Sequence, residues 1–162
     1  MGKHIVNIAE VELQPRPPQY APTGRAAERY EARIGMIAPQ IGAKKLGYNL
    51  TAVPPGKRAF PFHSHRLQEE MFYVIEGTGE VRIGAETFPI RAGDIIACPT
   101  GGPETAHQIV NSGKTELKYL ALSTKDAAEI CEYPDSGKIA GFGEGLRFVM
   151  RADQQVGYWE GE

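Results

Sequence analysis

His63 and His65 stand two residues apart, and Glu70 follows five positions later. On an extended strand, residues i and i+2 share a face. Both imidazoles can then point at one spot, which is the first requirement for a shared metal ion. A strand starting near Glu70 turns its carboxylate, Phe72 and Val74 to one side and Met71, Tyr73 and Ile75 to the other. Gly77 then closes the run at a turn. Glu69 faces the opposite way from Glu70 and reads as a solvated charge. Imidazole and carboxylate donors suit a divalent transition metal ion, with Fe, Mn, Zn, Ni, Co and Cu all admissible. His-x-His pairs are common on surfaces, so the metal reading needs a further donor from elsewhere in the chain.

The run Gly93-Asp94-Ile95-Ile96-Ala97-Cys98-Pro99-Thr100-Gly101 leads through a loop to His107 and Asn111. Together the two segments resemble the paired motifs of the cupin superfamily. The first motif is matched by Gly56, His63, His65, Glu70 and Gly77, with one extra residue between Gly56 and His63. The second is matched by Gly93, Pro99, Gly101, His107 and Asn111, with five residues, Gly102–Ala106, where the family has two. The resemblance spans Gly56–Asn111, about a third of the chain.

It implies an all-β, single-domain cupin β-barrel or jelly roll, with His63, His65, Glu70 and His107 as ligands of one divalent transition metal ion. Such a set leaves roughly two positions of an octahedron open to water or substrate. Within the added loop, Glu104 reads either as an acid or base reaching over the ion or as an exposed loop charge. Cupins include sugar-phosphate isomerases and epimerases, dioxygenases, decarboxylases, storage proteins and sugar-sensing domains. The expected function is a metal-dependent enzyme acting on a small polar substrate in the manner of a sugar-phosphate isomerase. A metal-dependent dioxygenase or decarboxylase and a non-catalytic binding or sensing module are the alternatives.

The rest of the chain must hold these residues in place. Its 162 residues suffice for one domain with a substantial core. The net charge of −2, without a dense Lys/Arg block, points away from nucleic acid and anionic membranes as partners. No apolar run approaches the ~18 residues of a membrane span. The first residues, MGKHIVNIAEVELQP, lack the apolar centre of a secretory signal. Cys98 and Cys131 give neither a zinc spacing nor a disulfide framework, so a cytoplasmic protein is expected.

Three regions are expected: an N-terminal arm over 1–33, a barrel core over 34–125, and an extension over 126–162 packing on the barrel. Pro15, Pro17, Pro18 and Pro22 mark the arm, since proline removes a backbone donor. Ala26–Arg33 has room for one or two helical turns. From Ile34 onward, short alternating runs are punctuated by Gly and Pro, the pattern of an antiparallel barrel or sandwich. Gly84-Ala85 fits a tight hairpin with glycine at its first central position. Asp126–Cys131 reads as a short helix, Leu146–Arg151 as a strand, and Tyr158-Trp159 as a dock for the tail. The face of Met71, Tyr73 and Ile75 is too apolar to stay wet, so the arms or a second subunit should cover it, and a homodimer is expected.

The remaining candidates have plain packing or solvation readings beside the functional ones. Tyr48, Phe62 and Phe72 can line a cavity or simply pack the core. Lys57, Arg58 and Arg66 flank the first motif and can meet an anionic substrate or stay solvated. Cys98 is most simply a small core residue. Gly141–Gly145 lacks the spacing of a dinucleotide-binding loop and reads as a loop.

Overall fold

The computed structural model describes residues 3–162. The arm leads through β1 (Gln14–Pro15) and the short helix α1 (Arg25–Arg29) into β2 (Arg33–Met36) and β3 (Leu46–Val53). Then follow β4 (Ser64–His65), β5 (Glu70–Glu76), β6 (Thr78–Ile83), β7 (Glu86–Arg91), β8 (Ile95–Cys98), β9 (His107–Val110) and β10 (Leu117–Thr124). Last come β11 (Ala128–Tyr133), β12 (Lys138–Gly143) and β13 (Leu146–Arg151).

One antiparallel sheet has the order β1-β2-β3-β10-β5-β8. Facing it are β7-β6-β9 and β13-β12-β11-β4, which meet where His63 and His107 form an antiparallel bridge. The His107 N–H donates to the His63 carbonyl at 2.8 Å, and the His63 N–H returns the bond at 3.2 Å. The core fills the space between the layers. Val53, Phe72, Val74, Ile96 and Tyr119 from the large sheet pack with Val81, Ile90 and Ile109 from the other. Alternation within β5 explains the split, because Phe72 and Val74 are buried while Tyr73 is 40% exposed.

The turns follow from local chemistry. Gly84 has φ +54° and no non-glycine residue among the described residues has positive φ, so the β6–β7 hairpin carries glycine at its first central position, as a type II′ turn requires. In β10, Tyr119 opposes Val74 whereas Lys118 opposes Glu76, so Ile75 is an unpaired bulge residue. Ile75 joins a second apolar cluster outside the large sheet, with Leu50 and Leu120, and the arm residues Val6, Val11 and Leu13 close over it. The arm thus covers part of the face expected to need cover. Gly35 permits this approach, since a Cβ there would collide with Val11.

Several expectations need correction. Asp126–Cys131 is not a helix, because residues 128–133 form β11 and pair with β4 on one side and β12 on the other. Two open backbone edges outweigh weak local helix propensity there. The helical piece near Ala26–Arg33 is α1, and the chain is extended again by Arg33. Tyr158 and Trp159 do not dock: they are 86% and 78% exposed, and their rings contact each other edge-on at 4.8 Å. No helix among the described residues is long and apolar enough to cross a membrane.

Candidate metal centre

His65 lies on β4, with His63 just before it. The buried Ser64 between them points the other way, so the two imidazoles share a face. Glu70 opens β5, opposite Cys98 of β8 and Ser123 of β10. His107 opens β9 and is tied to His63 through the backbone bridge. These elements bring all four side chains together, with their donor atoms within 4.8 Å of one another. The sequence-predicted set is therefore spatially one cluster that could hold a metal ion.

Three ring nitrogens converge on one carboxylate oxygen. Glu70 Oε2 lies 3.0 Å from His107 Nε2, 3.3 Å from His65 Nε2 and 3.9 Å from His63 Nε2. Donors about 2.1 Å from a common ion stand about 3 Å apart when adjacent and about 4 Å when opposite. The His65 contact lacks hydrogen-bond geometry, so its buried Nε2 has no partner. A buried nitrogen aimed at a carboxylate and two other imidazoles fits a cation between them. His63 is set for the same purpose. Its Nδ1 lies 2.8 Å from the Pro61 carbonyl, and donating there leaves the lone pair on Nε2.

The charges on His63 and Glu70 agree with a ligand role, whereas His65 must give up a proton before it can bind an ion. Burial, and then the neighbouring His107, bring the His63 imidazole down to about 4, so it is neutral at physiological pH. Burial opposes charge on Glu70, but the His107 hydrogen bond and the adjacent His65 hold its carboxyl well below the usual range. Burial also opposes charge on His65, yet the Cys131 sulfur and Glu70 beside it push this ring up to about 10.

Behind His65 lies a residue that the sequence does not mark as functional. Glu129 of β11 is buried, and its carboxylate is 3.5 Å from His65 Nδ1. It also accepts hydrogen bonds from the backbone N–H groups of Arg66 at 3.0 Å, Leu67 at 3.2 Å and Gln68 at 2.6 Å. One carboxylate thus closes the β4–β5 loop and stands against the rear nitrogen of a cluster histidine. Cys131 is also there, 3.4 Å from His65 Nδ1. The available signal was the i, i+2 spacing of Glu129 and Cys131, masked because the apolar Ile130 between them is the one turned outward.

Glu104 is not brought into the cluster. It sits exposed in the turn Pro103–Thr105, and its carboxylate accepts from the Gly102 N–H at 2.9 Å. That bond holds its carboxyl below the ordinary value. Arg66 pairs with Glu132, and Lys57 donates to the Ala27 and Glu28 carbonyls at 3.3 and 2.8 Å. Phe72 lies in the core, its ring centroid 5.6 Å from that of His107. Tyr48 packs in the outer cluster under the arm. Phe62 is buried beneath Arg82, whose guanidinium carbon stands 3.6 Å from its ring centroid. Cys98 is a buried core thiol. The loop reading of Gly141–Gly145 needs correction, because the chain is strand through Gly143, with Gly141 paired to Ile130 of β11 and Phe148 of β13.

A hollow of about 20 Å³, lined by Phe60, His63, Phe72, His107 and Tyr119, has room for roughly one water. Glu70 keeps 18% of its side chain exposed, His63 keeps 14%, and Tyr133 stacks on His63 with centroids 6.0 Å apart. Tyr133 thus stands beside the partly exposed cluster.

Facing antiparallel sheets around an inward cluster of three histidines and a glutamate define a cupin-type barrel. Residues 49–123 match the family model described as Cupin domain, and this match supports the cupin superfamily for the barrel. It is similar in structure to a cupin-superfamily sugar phosphate isomerase from Silicibacter pomeroyi, with TM-score 0.80 and 22% identity, covering 96% of this chain and 98% of that one. At that identity the likeness is one of fold. In sequence it is similar to the oxalate-binding protein of Thermotoga maritima, 36% identical over 70 residues, which are 43% of this chain and 54% of that protein. It is also similar to auxin-binding protein 1 of Arabidopsis thaliana, 32% identical over 104 residues, covering 58% of this chain and 50% of that protein. The chain spans about half the length of the curated relatives it matches.

Proposed function

We propose that His63, His65, Glu70 and His107 hold one divalent transition metal ion, and that the protein is a metal-dependent enzyme interconverting carbonyl and alcohol groups of a small polar substrate. The observation that carries this is the convergence of three Nε2 atoms on Glu70 Oε2 within 3.9 Å. When bound there, such an ion supplies Lewis-acid polarisation of a substrate oxygen. Glu70 stays ionised to balance its charge, and Pro61 holds the His63 tautomer. Proton transfer falls to a group outside the cluster, on the loop that leads to His107. Glu104 is the candidate, and it serves as a base because the Gly102 N–H keeps its carboxylate ionised. Support for a sugar-phosphate isomerase-like reaction comes from the fold neighbour of that name, which covers nearly the whole chain.

Elemental analysis of the purified protein, followed by loading with each metal and a screen of sugar phosphates, tests this reading. The expected result is isomerisation without oxygen consumption, lost in Glu70→Gln. Oxygen uptake with iron would move the assignment to a dioxygenase. The oxalate-binding relative favours a second reading, a non-catalytic binder of small molecules. That outcome would show as ligand-induced thermal shifts with no turnover under any metal.

We also infer a homodimer, because β13 leaves Leu146, Val149 and Met150 exposed along an edge strand. Light scattering should give twice the chain mass, and a monomer at all concentrations would exclude it.

A further inference from the structure

We propose that the groove between the N-terminal arm and the outer side of β9 is an anion site suited to a phosphate group. The groove has a volume of about 490 Å³ and carries Arg16, Arg29, Arg58 and Lys138 on its walls. Among the described residues none of these four cations has a carboxylate within ion-pair distance. By contrast, Arg33, Arg66 and Arg82 are each paired with one. The single acid on the walls, Asp135, is already held by Arg82 through two bonds of 2.9 and 3.0 Å. Four positive charges therefore face the groove with no free counter-charge.

Two of them are placed like ligand-binding groups rather than solvated ones. Arg16 is half-buried, gives one bond of 2.8 Å to the Ala59 carbonyl, and lies 4.5 Å over the Phe60 ring. Burial, unrelieved by any carboxylate, lowers its pKa from the ordinary value. The Arg58 Nε is buried and has no hydrogen-bond partner at all. Buried polar groups in folded proteins nearly always have partners, so an orphaned guanidinium nitrogen beside a cavity marks a missing acceptor. A phosphate dianion offers three oxygens to several planar guanidinium forks, whereas a carboxylate offers two. Tyr30 and Phe60 supply apolar wall for an attached organic group.

The groove contains none of the four clustered donors, so the inference does not rest on the metal reading. Phe60 and Gln108 line both the groove and the small hollow beside His63 and His107. Gln108 follows His107 on β9 and turns to the opposite face, donating to the Phe60 carbonyl at 2.8 Å.

Calorimetric titration of the full chain with inorganic phosphate, and separately with acetate at matched ionic strength, tests the proposal. Each titration is run on chelator-stripped and on metal-loaded protein. The expected result is saturable phosphate binding in the stripped protein, with acetate at least about tenfold weaker and Arg58→Gln weakening phosphate about tenfold. If Arg58→Gln does not fold, Arg29→Gln decides, because Arg29 is exposed and its loss leaves the core intact. Absence of saturable binding, equal affinity for acetate, or unchanged affinity in the deciding variant would overturn it. So would phosphate binding confined to metal-loaded protein, since that places the anion at the histidine cluster. Failure of the metal reading leaves the stripped-protein result standing.

Discussion

Glu129 lies 3.5 Å from His65 Nδ1, while the opposite nitrogen of the same ring lies 3.3 Å from Glu70. A buried carboxylate behind a histidine fixes its tautomer and its orientation. Here the carboxylate is itself anchored by three backbone amides of the loop between β4 and β5, so loop closure depends on this side chain. It shares the rear face of the His65 ring with the Cys131 sulfur, 3.4 Å from Nδ1.

Glu129→Gln preserves shape but turns one acceptor oxygen into a donor amide facing backbone N–H groups. Metal affinity should fall about 10- to 100-fold, as for other residues that orient a ligand from behind. Titration with Zn²⁺ and Mn²⁺ against a competing chelator measures this. A lower Tm with unchanged metal affinity would reduce Glu129 to a loop clamp.

Retention of metal should depend on pH in one direction. Imidazoles bind a cation only when neutral, and His65, pushed up to about 10 against its burial by Cys131 and Glu70, must release a proton to do so. Protons therefore compete with the ion increasingly as pH falls. Glu70, held well below the usual carboxylate range, stays ionised through that fall and adds no loss of its own. His63, brought down to about 4 in the folded protein, also takes up its proton more readily once unfolded. Its contribution to stability is therefore present above its ordinary value near 6.5 and lost as pH falls toward 4. Dialysis at pH 7.5 and pH 4.5 followed by elemental analysis should show full and depleted metal, respectively. Equal content at both values would count against a three-histidine site.

Gly77 and Gly56 both have positive φ, at +87° and +77°, but their surroundings differ. A Cβ on Gly77 would stand 2.5 Å from the Glu116 carbonyl oxygen and 2.9 Å from the Leu117 Cα, whereas one on Gly56 would meet nothing within 4 Å. Gly77→Ala should cost about 1–3 kcal/mol, equivalent to a Tm drop of roughly 2–12 °C. Gly56→Ala should cost only about 1–2 kcal/mol of backbone strain. Thermal melts of the two variants rank them, and the reverse order would contradict the close approach at Gly77.

Both cysteines should be inert in the folded protein. Cys98 and Cys131 are 2% and 4% exposed, and burial, then the Glu70 charge, push the Cys98 thiol up to about 12. Iodoacetamide at pH 8 should leave native protein unlabelled and add two groups per chain in urea, as read by mass spectrometry. Rapid labelling of Cys98 without denaturant would disprove its core placement.

Much of the cluster was legible in the residues alone because strand geometry is local. Spacing of two puts His63 and His65 on one side, and the same alternation sends Glu70, Phe72 and Val74 inward together. Gly84 at a hairpin and Gly77 at a turn follow equally from backbone sterics. His107 entered through a motif resemblance rather than through periodicity, and only the bridge to His63 shows how β9 delivers it.

What tertiary structure alone decided are features made by residues far apart in sequence. Whether residues 128–133 coil or extend depends on the open edges of β4 and β12, and only pairing there puts Glu129 behind His65. Ile75 is covered by the arm because Val11 reaches the outer cluster over Gly35, a contact between residues far apart in sequence. Arg16 and Arg58 look like ordinary charges in their own neighbourhoods. Folding of the arm against the segment before His63 half-buries them, and no local pattern encodes which acceptor that leaves missing at the Arg58 Nε.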